Sequence, residues 1–143
     1  MDQAVSHSDR AARLGPGVVF VVDDDEAVRD SMRVLIESNG HEVVDFGSAR
    51  DFLGWRAPGE VNACLILDNN MPDLTGIDLL ESLRESGDMM PVIMVTGGPG
   101  PGLDERINRA RRAVCLEKPI DPNELLDTLD DALRARAAFL PVT

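Results

Sequence analysis

Basic residues are scarce in this chain. Lys and Arg together number 14 against 26 Asp and Glu, a formal net charge of −12, and a surface of that sign repels phosphate backbones and anionic lipid. Direct nucleic-acid binding and membrane binding are therefore not expected. Long apolar runs are missing as well. None approaches the roughly 20 residues that span a bilayer, and the opening MDQAVSHSDRAARLGPG lacks the apolar centre of a signal peptide. Residues 1–16 read as a short disordered tail on a cytoplasmic protein. The only cysteines, Cys64 and Cys115, lie in apolar runs where reduced, buried thiols are expected, and neither resembles a metal ligand. His7 and His41 have no companion for metal or relay chemistry, so surface roles are expected for both. No repeat, low-complexity block or second domain is visible in the 143 residues, a length that suits one domain of the usual size, about 100–150 residues.

What is present is an alternation. Short, partly β-branched apolar runs occur at Val18 to Val22, Val43 to Phe46, Ala63 to Leu67, Val92 to Val95 and Ala113 to Leu116. Between and after them Val28, Met32, Leu35 and Ile36 fall at helical spacing, as do Leu79, Leu80 and Leu83, and Leu125, Leu126, Leu129 and Leu133. Start signals agree: Ser48 with Asp51, Thr75 with Asp78, and Asp121 followed by Pro122 and Glu124. Asp25 is expected to cap the first helix rather than to serve as a further acid of a site, and Asp73 is likewise expected to be a cap. Pro141 is expected to end the last helix. Five β/α units of this kind predict a flavodoxin-like (βα)5 fold, with a five-stranded parallel sheet in the order 2-1-3-4-5 and helices on both faces. In that order Cys64 and Cys115 lie two strand spacings apart, about 9 to 10 Å. A disulfide needs Cα atoms within about 7 Å, so both thiols should stay free.

The polar residues that break the strand pattern would gather at one edge of this sheet. Strand 1 ends at Asp23 and Asp24, strand 3 at Asp68, strand 4 at Thr96 and strand 5 at Lys118. Ligands in open α/β sheets bind at the carboxyl ends of strands, at the switch in strand order. Three carboxylates there would repel one another unless a divalent cation joined them, and hard oxygen ligands suit Mg²⁺. A carboxylate not fully spent on the metal can act as a nucleophile, so Asp68 counts both among the expected metal ligands, with Asp23 and Asp24, and as a candidate nucleophile. With Thr96 and Lys118 to meet the remaining oxygens, the set provides most of what phosphoryl transfer requires. Asp68 is then the acceptor.

The tracts VVDDDEAVRDSM, LDNNMPDLTG, VTG and EKPIDP, in that order, resemble the receiver domains of bacterial two-component response regulators, with a receiver domain expected over residues 17–140. DEAVRDSM followed by HEVVDFGSARDFL is most similar to the branch that includes the nitrogen-fixation regulators. The resemblance implies that Asp68 is phosphorylated, that Asp24 ligates Mg²⁺ directly while Asp23 helps through water, and that the Asn70 backbone carbonyl completes the protein ligands. It implies that Thr96 and Lys118 read the phosphoryl group. The phosphodonor it implies is a phosphohistidine on a sensor histidine kinase or phosphotransfer protein, with small acyl phosphates as substitutes. It implies output to a downstream protein through the face of the fourth helix, fifth strand and fifth helix, with a phosphorylation-dependent homodimer as one form.

Two features depart from the family pattern. Cys115 stands where an aromatic residue usually accompanies the threonine switch, and GGPGPG, Gly97 to Gly102, replaces a loop richer in side chains. Arg106, Arg109, Arg111 and Arg112 are expected near the exposed face of one helix whose apolar stripe is Leu103, Ile107 and Ala110. In the family the positions two beyond the acceptor and two beyond the threonine help set how fast the aspartyl phosphate is hydrolysed, and the resemblance, with Asn70 and Gly98 there, implies a short-lived one.

Rival readings are a receiver-like scaffold that is never phosphorylated, a receiver cut from a longer transcription regulator, and a haloacid-dehalogenase-like phosphatase using Asp23 as nucleophile. Intact Asp23, Asp24, Asp68, Thr96 and Lys118 oppose the scaffold. The phosphatase lacks an acidic pair after a further strand and leaves Asp68 to Pro72 without a task.

Overall fold

The computed structural model describes residues 17–55, 63–98 and 100–134. The expected tail, His7 and the stop at Pro141 lie outside them. Strands and helices alternate: β1 Val18–Val22, α1 Glu26–Ser38, β2 Glu42–Phe46, α2 Ala49–Trp55, β3 Ala63–Asp68, α3 Gly76–Glu85, β4 Val92–Thr96, α4 Leu103–Ala110, β5 Ala113–Glu117 and α5 Pro122–Leu133. All strand pairs are parallel, in the order β2-β1-β3-β4-β5, as the sequence predicts. Among the described residues no helix is long and apolar enough to cross a membrane.

The two-residue period of the strands divides the core into two layers. Val19, Val21, Cys64, Ile66, Ile93 and Val95 meet Met32 and Ile36 of α1 and Leu125 and Leu129 of α5. Phe20, Val22, Leu65, Leu67, Val92 and Met94 meet Phe52 of α2, Leu79, Leu80 and Leu83 of α3, and Leu103 and Ile107 of α4. Strands buried on both faces must be apolar throughout, which is why β3 and β4 read as unbroken hydrophobic runs. Cys64 and Cys115 are free thiols with β4 between their strands. They also belong to opposite layers, since Cys115 packs against the α2–α3–α4 side.

The caps follow local chemistry. Asp25 accepts from the N–H groups of Ala27 and Val28 and starts α1, Thr75 accepts from Asp78 N and starts α3, and Asp121 accepts from Asn123 N ahead of Pro122. Asp73 is not a cap. It adopts a left-handed backbone, φ 65°, two residues ahead of the true cap Thr75. Helix α5 closes at Leu133 with Arg134 as its C-cap.

Arginines tie α3 and α4 to each other. Arg84, near the end of α3, donates from Nε to the carbonyls of Ala110 and Arg111 at 3.0 and 3.1 Å, and from Nη2 to those of Arg111 and Arg112 at 2.9 and 3.2 Å. Its Nη1 reaches the Asp88 carbonyl at 2.8 Å. Helix carbonyls left open at a C-terminus attract a cation. Burial lowers the Arg84 guanidinium to about 10. In return Arg106 of α4 donates to both carboxylate oxygens of Glu81, at 2.9 and 2.6 Å, and to Asp78 at 3.3 Å on α3. The expected row of outward arginines is thereby corrected in part: Arg109 is exposed on α4 and Arg111 is exposed just past its end. Arg106 is committed to α3, while Arg111 and Arg112 lie beyond the helix in left-handed backbone, φ 68° and 53°.

His41 also differs from expectation. It is half-buried, and its Nδ1 accepts the Gly17 N–H at 3.3 Å, so it is a structural acceptor rather than a surface group. Burial holds its pKa below the usual 6.5, against a smaller opposing pull from Asp130.

Two outcomes are expected. Arg84→Met should cost about 2–3 kcal/mol in chemical denaturation, because a charged donor is lost and four carbonyls lose a partner. Between pH 7 and 5 the unfolded chain protonates His41 before the folded chain does, so stability should fall as pH drops through about 6.5. His41→Gln should flatten that part of the denaturation profile.

Candidate functional site

The register of β1 against β3 sets the site. Val22 pairs with Leu67, so the next residues of the two chains, Asp23 and Asp68, emerge together at the carboxyl edge of the sheet. Each is only 4% exposed, whereas Asp24 is exposed. Carboxylate oxygens of Asp23, Asp24 and Asp68 lie within 4.8 Å of one another. Asp23 Oδ1 accepts the Asp25 N–H at 2.9 Å, and Asp68 Oδ1 accepts the Asn70 N–H at 3.0 Å. Burial raises the Asp23 carboxyl above its usual range; the Asp25 N–H opposes this, and the neighbouring Asp68 charge adds to it.

One ammonium faces these acids. Lys118, the only lysine in the sequence, reaches Asp68 Oδ1 at 3.1 Å. Its backbone N–H donates to the Thr96 carbonyl at 2.8 Å, so β4 places it, and its bond to Pro119 is cis.

Thr96 is fully buried at the end of β4, but its hydroxyl turns into the following loop. It donates to the Gly98 carbonyl and accepts the Gly98 N–H, both at 3.3 Å. Asn70 is exposed and its side-chain oxygen accepts the Gly97 N–H at 3.3 Å, joining the loop after β3 to the loop after β4. The structure thus gathers Asp23, Asp24, Asp68 and Lys118 directly, with Thr96 and Asn70 bonded to the adjoining loop. A Cβ at Gly98 would meet no other atom within 4 Å.

Two residues escaped the sequence reading. Asn69 Oδ1 accepts the Ile77 N–H at 2.9 Å and so holds the start of α3 against the end of β3. Gly76 allows that approach, because a Cβ there would lie 2.7 Å from the Asp68 carbonyl oxygen and 2.8 Å from Asn69 Cα. The glycine of LDNNMPDLTG was the available signal.

The profile of the response regulator receiver domain matches residues 19–130. This chain belongs to that family. The receiver is 38% identical over 112 residues to nodulation protein W of Bradyrhizobium diazoefficiens, covering 78% of this chain and 49% of that protein. It is 33% identical over 118 residues to the transcriptional regulatory protein FixJ of the same organism, covering 82% and 57%. These relatives bear out the branch the sequence resembles. Among solved structures, FixJ-N matches with TM-score 0.74 and 30% identity, covering 85% of this chain and 96% of that one. A CheY-like receiver from Methanospirillum hungatei JF-1 matches with TM-score 0.75 and 29% identity over the same shares. The receiver spans about half the length of the curated relatives named here. The haloacid-dehalogenase-like reading is set aside, since these matches support a receiver.

The donor set suits a divalent cation. Two carboxylates are buried beside a third, all offer oxygen, and the one ammonium bonded to them leaves the cluster net negative. Gly76→Ala is expected to lower stability by about 1–3 kcal/mol through overpacking and, because two of the three crowded atoms are backbone, to reduce phosphorylation by a small acyl phosphate as well. Both are read on the same preparation, by denaturation and by intact mass.

Proposed function

We propose that Asp68 accepts a phosphoryl group from a phosphohistidine on a sensor kinase or phosphotransfer protein. The observation that carries this reading is a buried strand-end carboxylate flanked by two other acids and the single lysine. An Asp68 carboxylate oxygen attacks phosphorus, the P–N bond breaks, and the departing imidazole nitrogen keeps the electron pair. Asp23, Asp24, Asp68 and the Asn70 carbonyl would hold Mg²⁺, which when bound offsets charge on the carboxylates and phosphoryl oxygens.

Lys118 changes partner in this scheme. In the resting chain its ammonium meets Asp68 Oδ1. Once that oxygen carries phosphorus, the same ammonium serves a phosphoryl oxygen. Thr96 must exchange its Gly98 contact for the phosphoryl group, and that exchange acts on the loop leading into α4. Gly102, the N-cap of α4, contributes no side-chain cap, so this end of the helix meets the loop through the buried Leu103 and the Arg106 tie to α3 rather than through a cap. Output then runs through the face of α4, β5 and α5 to a downstream protein or a second copy of the chain, in the cytoplasm and without direct nucleic-acid contact. Because the receiver matches 57% of the transcriptional regulatory protein FixJ, any role in transcription would belong to the receiver as part of a longer protein.

Treatment with a small acyl phosphate and Mg²⁺ should add one phosphoryl group by intact mass spectrometry. The signal should be lost in Asp68→Asn and after chelation. Full modification of Asp68→Asn would defeat the assignment.

A further inference from the structure

Arg29 lies one turn into α1, and its backbone N–H closes that turn on the Asp25 carbonyl at 3.0 Å. Its side chain turns back toward the acids. Nη1 donates to the backbone carbonyl of Asp23 at 2.7 Å, while Nε donates to Asp45 Oδ2 at 3.0 Å on β2. The side chain is only 17% exposed. Arg33 also binds Asp45, and reaches the Val43 carbonyl at 3.0 Å. Asp45 is therefore an anchor gripped by two cations, and one of them extends to the acid loop.

The carbonyl that Arg29 holds belongs to the peptide linking Asp23 to Asp24. A peptide unit is planar, so holding its oxygen orients the bond from which the Asp24 residue departs. The other end of Asp23 is held as well, by its N–H donating to the Phe46 carbonyl at 3.2 Å. Both peptide groups of Asp23 are thus attached to neighbouring elements, one of them through a charged donor. Gly47 makes room for this, since a Cβ there would come within 3.3 Å of Arg29 Nη1.

We propose that Arg29 is a positioning residue for the cation site, holding the Asp23–Asp24 peptide so that their carboxylates keep the spacing at which they converge with Asp68. Asp45 is its anchor and Gly47 its clearance. The inference rests on the Mg²⁺ reading given above, and adds to it a residue that touches neither cation nor phosphoryl group. A two-donor fork suits the task, because it joins Asp45 to the carbonyl through one rigid plane; a lysine reaches one of them at a time.

The test is the Mg²⁺ dissociation constant by calorimetry, with the apo-protein melting temperature measured alongside. Residues that orient metal ligands typically change metal affinity by 10–100-fold when replaced. Arg29→Gln should weaken Mg²⁺ binding about tenfold, at the lower end of that range because it acts on backbone. Arg29→Lys should recover part of the loss. Gly47→Ala keeps every polar group, guards against a misfolded Arg29 variant, and should weaken binding by a smaller factor. Arg33→Gln removes the other cation on Asp45 without touching Asp23, so it should lower the melting temperature and leave Mg²⁺ affinity unchanged. Unaltered affinity in Arg29→Gln, or an equal loss in Arg33→Gln, overturns the proposal while the Mg²⁺ reading stands. Absence of Mg²⁺ binding by the wild-type chain overturns both.

Discussion

Repulsion between Asp23 and Asp68 is the constraint on which the site depends. Parallel pairing of β1 with β3 brings the two chain ends out side by side, and the closed core beneath leaves their carboxylates almost without solvent. Like charges less than 5 Å apart cost about 3 kcal/mol at an effective dielectric near 20. The surroundings answer that cost piece by piece. The N–H groups of Asp25 and Asn70 donate to the two carboxylates, and Lys118 reaches Asp68. These leave negative charge in excess, which is the electrostatic condition for attracting a divalent cation and, with it, a phosphoryl group.

The features legible in the sequence are those whose causes are local or periodic. Short apolar runs identified five strands within a residue or so of their bounds, and the order of the acids, threonine and lysine identified the edge at which they meet. Asp25, Thr75 and Asp121 were readable as caps because a cap bonds within three residues of itself. In MPDLTG two polar residues compete for that role, and only Thr75 has its side chain on the first turn, which leaves Asp73 in the preceding bend.

Residues whose partners are distant in sequence were not legible. Arg84, Arg106 and Arg29 fall on helices where a charged residue ordinarily faces water, yet each closes on groups 6 to 28 positions away. The same holds for His41, whose partner Gly17 precedes it by 24 residues. Asn69 is an intermediate case, since it bonds the amide of a residue eight positions on, across a loop whose shape no spacing rule specifies. The family resemblance supplies roles for the acids. It says nothing about which cations hold them in place.

The exchange of arginines between α3 and α4 has a mechanical consequence. Each helix is fastened by a side chain of the other, at Glu81 and Asp78 near the middle and at the carbonyls of Ala110 to Arg112 at the far end. Two rods joined at two separated points form a plate, and a plate resists shear between its members. The chain enters this plate at α4 from a glycine-rich stretch that begins beside Thr96 and ends at the cap Gly102. A displacement begun beside α4 would carry α3 with it, so that it is also felt on the outer surface of α3.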